Sequence, residues 1–146
     1  KKGKYKKVSE TKSLSYTDKK ATFGRAYYYK VRAVKVSGKS KVTSSDSRVV
    51  AGKVVPLSPR TVKKSTAKKR VTLKWSAVKK ASGYQVYRSV KKNSGYKKVA
   101  DIRGKSYTDK KVKSRKTYYY KVRAYTKIKG KKVYGDYSKI IRAKAK

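Results

Sequence analysis

The chain copies itself at a fixed distance. Lys6-Lys7-Val8 returns as Lys97-Lys98-Val99. Ser15-Tyr16-Thr17-Asp18-Lys19-Lys20 returns as Ser106-Tyr107-Thr108-Asp109-Lys110-Lys111. Tyr27-Tyr28-Tyr29-Lys30-Val31-Arg32-Ala33 returns as Tyr118-Tyr119-Tyr120-Lys121-Val122-Arg123-Ala124. All three pairs are 91 residues apart, with no insertion between them. A constant offset of that length implies tandem copies of one folding unit. The first copy matches only from Tyr5 onward and has no counterpart of Val71–Tyr87, so it is expected to be partial.

The break between the copies is marked by Val54-Val55-Pro56-Leu57-Ser58-Pro59-Arg60, which holds both prolines of the chain. Proline lacks the amide donor of a strand interior. The expected organisation is therefore a partial module at 1–55, a linker at 56–60 running into a first edge strand, and a complete module at 61–146.

Within the complete module, Val71, Leu73 and Trp75 alternate with Arg70, Thr72, Lys74 and Ser76, a period of two that predicts a half-buried strand. Further strands are predicted at 84–88, 96–102, 105–108, 117–126 and 137–143. Turns are predicted at Ala81-Ser82-Gly83, at Lys92-Asn93-Ser94-Gly95 and at Arg103-Gly104, with Ile128–Tyr134 a basic loop or hairpin tip. No segment has the spacing of an amphipathic helix. Many short strands with closely spaced turns predict an all-β antiparallel sandwich. The partial copy should expose an apolar face and an open edge, and should not hold a core alone. Truncation is the favoured explanation, with strands supplied by another chain as the alternative.

Composition gives a warning and a hint. Net charge is +41, and hydrophobic and charged residues each make up 36%, a balance typical of disorder. The 15 Tyr and the alternating apolar runs argue for a folded chain instead. Self-repulsion at this charge should weaken the compact state most at low salt. Cysteine and methionine are absent. The chain therefore carries no disulfide framework and reads as an interior piece of a longer protein. No apolar run approaches the roughly 20 residues that span a bilayer as a helix.

The order and spacing of several motifs resemble a fibronectin type III domain of the kind found in bacterial surface and secreted proteins. The elements are Trp75, Gly83-Tyr84-Gln85-Val86-Tyr87-Arg88, and Thr117-Tyr118-Tyr119-Tyr120-Lys121-Val122-Arg123-Ala124. The resemblance covers 57–146 as one immunoglobulin-like sandwich and 3–55 as the C-terminal part of another. It implies a core of Trp75, Tyr84, Val86, Tyr118, Tyr120 and Val122. It also implies that Tyr118, and Tyr27 in the partial copy, is a corner tyrosine bonded back to nearby backbone. The integrin-binding tripeptide of the family is missing; the nearest string is Arg103-Gly104-Lys105.

Catalysis finds little material. There is no His or Cys, and the six carboxylates Glu10, Asp18, Asp46, Asp101, Asp109 and Asp136 are scattered. Asp18 and Asp109 sit in equivalent turns, where they should accept from local amides. No cofactor, metal site or enzymatic activity is expected. The basic surface is the stronger hint. Lys outnumbers Arg 37 to 10, which suits diffuse attraction to a polyanion better than bidentate recognition. A solvated surface that merely keeps the chain soluble is the bland alternative.

Tyrosines add a second hint. With Tyr84, Val86, Tyr118, Tyr120 and Val122 facing in, Tyr87, Tyr119, Lys121 and Arg123 face out. Together with Tyr96 they would form an aromatic stripe fringed by Lys97, Lys98 and Lys121. That stripe could stack sugars, or could simply be cross-strand pairing on an exposed sheet. The second candidate contact is the basic loop with Lys127, Lys129, Lys131, Lys132 and Tyr134. The expected role is a non-catalytic structural, spacer or adhesion module of a tandem-repeat bacterial extracellular protein. Its expected partners are neighbouring modules and an anionic polysaccharide or cell-wall polymer. A dedicated carbohydrate-binding module is the alternative, and nucleic acid is disfavoured.

Overall fold

The computed structural model describes residues 3–146, so the first two residues of the expected 1–55 module lie outside it. All the described regular structure is strand. The chain divides into two compact units, one ending at Val54 and one running Val55–Lys146.

The second unit is an antiparallel sandwich. Its strands are β5 (Lys63–Ala67), β6 (Arg70–Lys74), β7 (Gly83–Ser89), β8 (Lys97–Ile102), β9 (Ser106–Asp109), β10 (Thr117–Ile128), β11 (Lys131–Tyr137) and β12 (Ile141–Lys144). One sheet has the order β5-β6-β9. The other has the order β11-β10-β7-β8, with β12 also pairing β10. The alternation of β6 places Val71 and Leu73 fully inside. The facing sheet answers with Tyr84, Val86, Tyr118, Tyr120, Val122 and Ala124. Trp75 stands edge-on to Tyr84 at 5.4 Å. The core expected from the sequence is thus the observed core.

Several boundaries moved. The tenth strand runs two residues past its expected end, because Lys129 and Gly130 both take positive φ (47° and 77°) and close a two-residue hairpin into β11. The expected single last strand is interrupted. Ser138 leaves the ladder and bonds Val122 in both directions, its N–H to the carbonyl (2.7 Å) and its Oγ to the amide (3.1 Å). The turn expected at Ala81-Ser82-Gly83 lies one step earlier, at Lys80 with φ 61°. Gly83 already belongs to β7, where the Tyr125 hydroxyl sits over its Cα.

The proline segment packs onto the second unit. Pro56 and Pro59 are buried, and a Cβ on Gly135 would meet the Pro56 carbonyl oxygen at 2.1 Å. The stretch expected as a linker at 56–60 therefore lies against β11.

The first unit holds β1 (Ala26–Tyr29), β2 (Val34–Ser37), β3 (Ser40–Thr43) and β4 (Val50–Lys53). They pair only as β1-β4 and β2-β3. Val31, Val34, Val36, Val42, Val49 and Val50 are exposed, as expected for a unit lacking the counterparts of β5, β6 and β7.

Candidate functional site

The outer face of the larger sheet gathers most of the expected contact residues. Antiparallel register aligns Asp101, Gln85, Arg123 and Tyr137 in one row across β8, β7, β10 and β11. The next row holds Lys98, Tyr87 and Lys121. These residues share the outer face because Tyr84, Val86 and Val122 occupy the alternate, inward positions.

The side chains close on one another. Arg123 donates to Gln85 Oε1 from Nε (3.1 Å) and Nη2 (2.8 Å), and from Nη2 to the Tyr87 hydroxyl (2.8 Å). Its guanidinium also lies over the Tyr134 ring at 4.0 Å. Gln85 Nε2 donates to Asp101 Oδ2 at 3.0 Å, and Lys132 Nζ donates to the same oxygen at 2.5 Å. Lys121 Nζ sits between two rings, 4.4 Å from Tyr96 and 4.0 Å from Tyr137. Tyr137 meets Tyr87 edge to face at 5.3 Å. The cations are held against π faces, a geometry that stabilises by about 0.5–1 kcal/mol per exposed pair.

The environment tunes the acids accordingly. Burial would raise the Asp101 carboxyl, but hydrogen bonds from Gln85, Lys132 and Tyr125 hold it at about 2. The bond to Asp101 pushes the Lys132 ammonium up. Burial, then the neighbouring Tyr119, pushes the Tyr96 phenol up.

The structure thus brings together Tyr87, Tyr96, Lys121, Arg123, Lys132 and Tyr134. Lys97 and Lys98 are exposed at the start of β8, while Lys127, Lys129 and Lys131 are exposed around the β10–β11 turn. Gln85, Asp101, Tyr125 and Tyr137 belong to the same face and were not anticipated. The period-two alternation that placed Tyr87 outward also marks Gln85. Asp101 and Tyr137 become neighbours only through strand pairing.

A second polar cluster lies between the sheets. Asp109, 1% exposed, accepts from Arg88 Nη1 (2.8 Å), the Tyr120 hydroxyl (3.0 Å) and the Lys111 amide (2.9 Å). The amide bond is the expected one; the other two are tertiary. Burial, followed by the Asp109 charge, pushes the Tyr120 phenol far up. The Tyr118 hydroxyl accepts from the Lys113 amide at 2.9 Å, the corner expected from the sequence. Among the described residues no three His, Cys, Asp or Glu side chains converge.

No protein-family model matches the chain, and no curated protein is similar to it. Solved structures are. A mutant form of FN3tt aligns with a TM-score of 0.54 at 19% identity, covering 62% of this chain and 97% of that one. The fold is that of a fibronectin type III domain. A β-1,2-glucanase from Parabacteroides distasonis aligns with a TM-score of 0.52 at 20% identity, over 75% of this chain and 16% of that one. A Fn3-like protein from Clostridium thermocellum is 27% identical over 60% of this chain and 92% of its own, with a TM-score of 0.48.

The first unit repeats part of this geometry 91 residues earlier. Tyr27, Tyr28 and Tyr29 pair Gly52, Ala51 and Val50 in the register of Tyr118, Tyr119 and Tyr120 with Ala143, Arg142 and Ile141. Tyr27 accepts from the Thr22 amide at 3.1 Å. Ser47 bonds Val31 as Ser138 bonds Val122. Lys30 lies 4.4 Å over Tyr5, and Lys41 donates to Glu10 at 2.9 Å. Those pairs are the equivalents of Lys121 with Tyr96 and of Lys132 with Asp101.

Proposed function

We propose that the chain is a non-catalytic structural or spacer module of a large bacterial extracellular protein, one that also adheres to anionic cell-wall polymers or acidic glycans. A sandwich closed by Tyr and Asp networks holds its shape without disulfides, which suits a spacer. The surplus of 47 cations over six anions supplies the attraction.

The observation that carries this reading over a dedicated sugar-stacking module is the state of the tyrosine face. Lys121 lies over both Tyr96 and Tyr137, and Arg123 over Tyr134. A sugar ring would have to displace those cations. In the β-1,2-glucanase neighbour the matched stretch is likewise a small part of a long bacterial chain, which fits a module that serves other domains.

The test is equilibrium binding to dextran sulfate and to uncharged dextran across a salt series. Binding to the sulfated polymer alone, falling steeply with salt, supports the reading. Saturable, salt-insensitive binding to a neutral glycan that Tyr87→Ala and Tyr119→Ala abolish without unfolding would replace it with the carbohydrate-module reading.

A further inference from the structure

The two outer faces of the complete sandwich differ in how their cations are compensated. On the larger sheet, Lys121, Arg123 and Lys132 are matched by rings, by Gln85 and by Asp101. The outer face of β5-β6-β9 has no such partners. Val71 and Leu73 point into the core, so Arg70, Thr72 and Lys74 point out. Register sets Lys63 directly opposite Lys74, Ser65 opposite Thr72, and Ala67 opposite Arg70. On the other flank Thr108 pairs Thr72 and Ser106 pairs Lys74. None of the ion pairs formed among the described residues involves Lys63, Arg70 or Lys74.

Like charges placed directly opposite across two strands destabilise a sheet. Here the cost is uncompensated, and the pair borders an open cavity of about 210 Å³ lined by Lys63, Lys64, Ser65, Thr72 and Lys74. Lys64 forms one wall, its ammonium held by the Arg142 carbonyl. Thr72 and Thr108 share a hydroxyl–hydroxyl bond at 3.0 Å. The row between the charged ends is therefore made of hydroxyls, with no carboxylate to repel an anion.

We propose that this face binds the anionic polymer. A phosphate or sulfate group seats between the Lys63 and Lys74 ammonium groups, with Ser65 and Thr72 hydroxyls beside it. The polymer then runs along β6 over the hydroxyl row towards Arg70, four residues and about 13 Å away. Lysine suits this role because a point charge tolerates any orientation of the anion. The ligand class is an extended, phosphate- or sulfate-bearing polymer. The assignment rests on the polyanion reading above and deepens it by naming the face.

The experiment uses the full chain, with dextran sulfate and poly(glycerol phosphate) as probes and dextran as the neutral reference. Lys63→Gln/Lys74→Gln is compared with the charge-matched Lys91→Gln/Lys92→Gln, which alters the exposed β7–β8 turn. The first pair should lower affinity about tenfold or more, and the second no more than about threefold. The first pair should also raise the melting temperature of the free protein, because a like-charge contact is removed. Whichever probe binds more tightly identifies phosphate or sulfate as the preferred group. Equal losses for both pairs would overturn the assignment while leaving polyanion binding intact. Binding of neither charged probe above dextran would overturn both.

Discussion

Tyr120 donates its phenolic proton to the Asp109 carboxylate across 3.0 Å inside the sandwich, and 91 residues earlier Tyr29 does the same to Asp18 across 2.9 Å. In the complete module the pair also takes an ion pair from Arg88 at 2.8 Å. Arg88 lies on β7, and no strand among the described residues of the first unit corresponds to it. The carboxylate thus ties the β9 end to β7 and β10 in one copy, and only to β1 in the other. Asp109→Asn leaves Arg88 beside a neutral group, and loss of one partner of a buried pair costs about 3 kcal/mol or more. Chemical denaturation should show that loss. Asp18→Asn, at a half-buried site with no arginine left unpaired, should cost less, about 1 kcal/mol.

The corner tyrosine gives a graded comparison. Tyr118→Phe deletes the acceptor for the Lys113 amide at a 5% exposed side chain, and should cost about 1–2 kcal/mol. Tyr27→Phe deletes the matching bond to Thr22 where water can replace it. Its expected cost is about 0.5 kcal/mol or less. Equal effects in thermal melts would show that burial does not set the value of this bond.

Gly135 tests the packing of the proline segment. A methyl group there would overlap the Pro56 carbonyl oxygen, which is backbone and cannot swing aside. Gly135→Ala should therefore destabilise the complete module by about 1–3 kcal/mol. A neutral result in denaturant unfolding would mean that residues 56–60 lift away freely, as a linker would.

Acid should weaken the network on the outer face. The Asp101 carboxyl is held at about 2, below its ordinary value of 3.8. A folded-state value below the unfolded one gives stabilisation that is complete above the unfolded value and lost as pH falls through the folded value. The gap in melting temperature between the protein and Asp101→Asn should hold from neutral pH to about pH 4. It should then close towards pH 2. Solvent screening keeps the expected contribution at about 1 kcal/mol or less.

Salt should stabilise the chain. With a net charge of +41, repulsion among cations outweighs the few ion pairs that salt would weaken. The melting temperature should rise from about 20 to about 200 mM monovalent salt. A flat or falling trend would mean that the cation–ring and hydrogen-bonded pairs already offset the repulsion.

The repeat, most strands of the second unit and its inward set are legible in the sequence, whereas β11 and the break before β12 are not. Val71, Leu73 and Trp75 are legible because a strand has a period of two and apolar side chains must leave water, while Tyr84, Val86, Tyr118, Tyr120 and Val122 follow from the family resemblance. The corner bonds of Tyr27 and Tyr118 are expected only through the family resemblance, and both are formed, to amides five residues away. Asp18 and Asp109 were placed correctly against nearby amides because such bonds are local. Tertiary structure decided what depends on pairing between distant segments. Asp101, Gln85, Arg123 and Tyr137 form one row only because four strands take a particular register. Lys63 faces Lys74 only because β5 folds back on β6 through Lys68 and Lys69. Local pattern fixes which side of a strand a residue occupies. Which charges then become neighbours is set by long-range register, and here that holds Lys121, Arg123 and Lys132 against rings, Gln85 and Asp101 while Lys63 and Lys74 face each other with no carboxylate beside them.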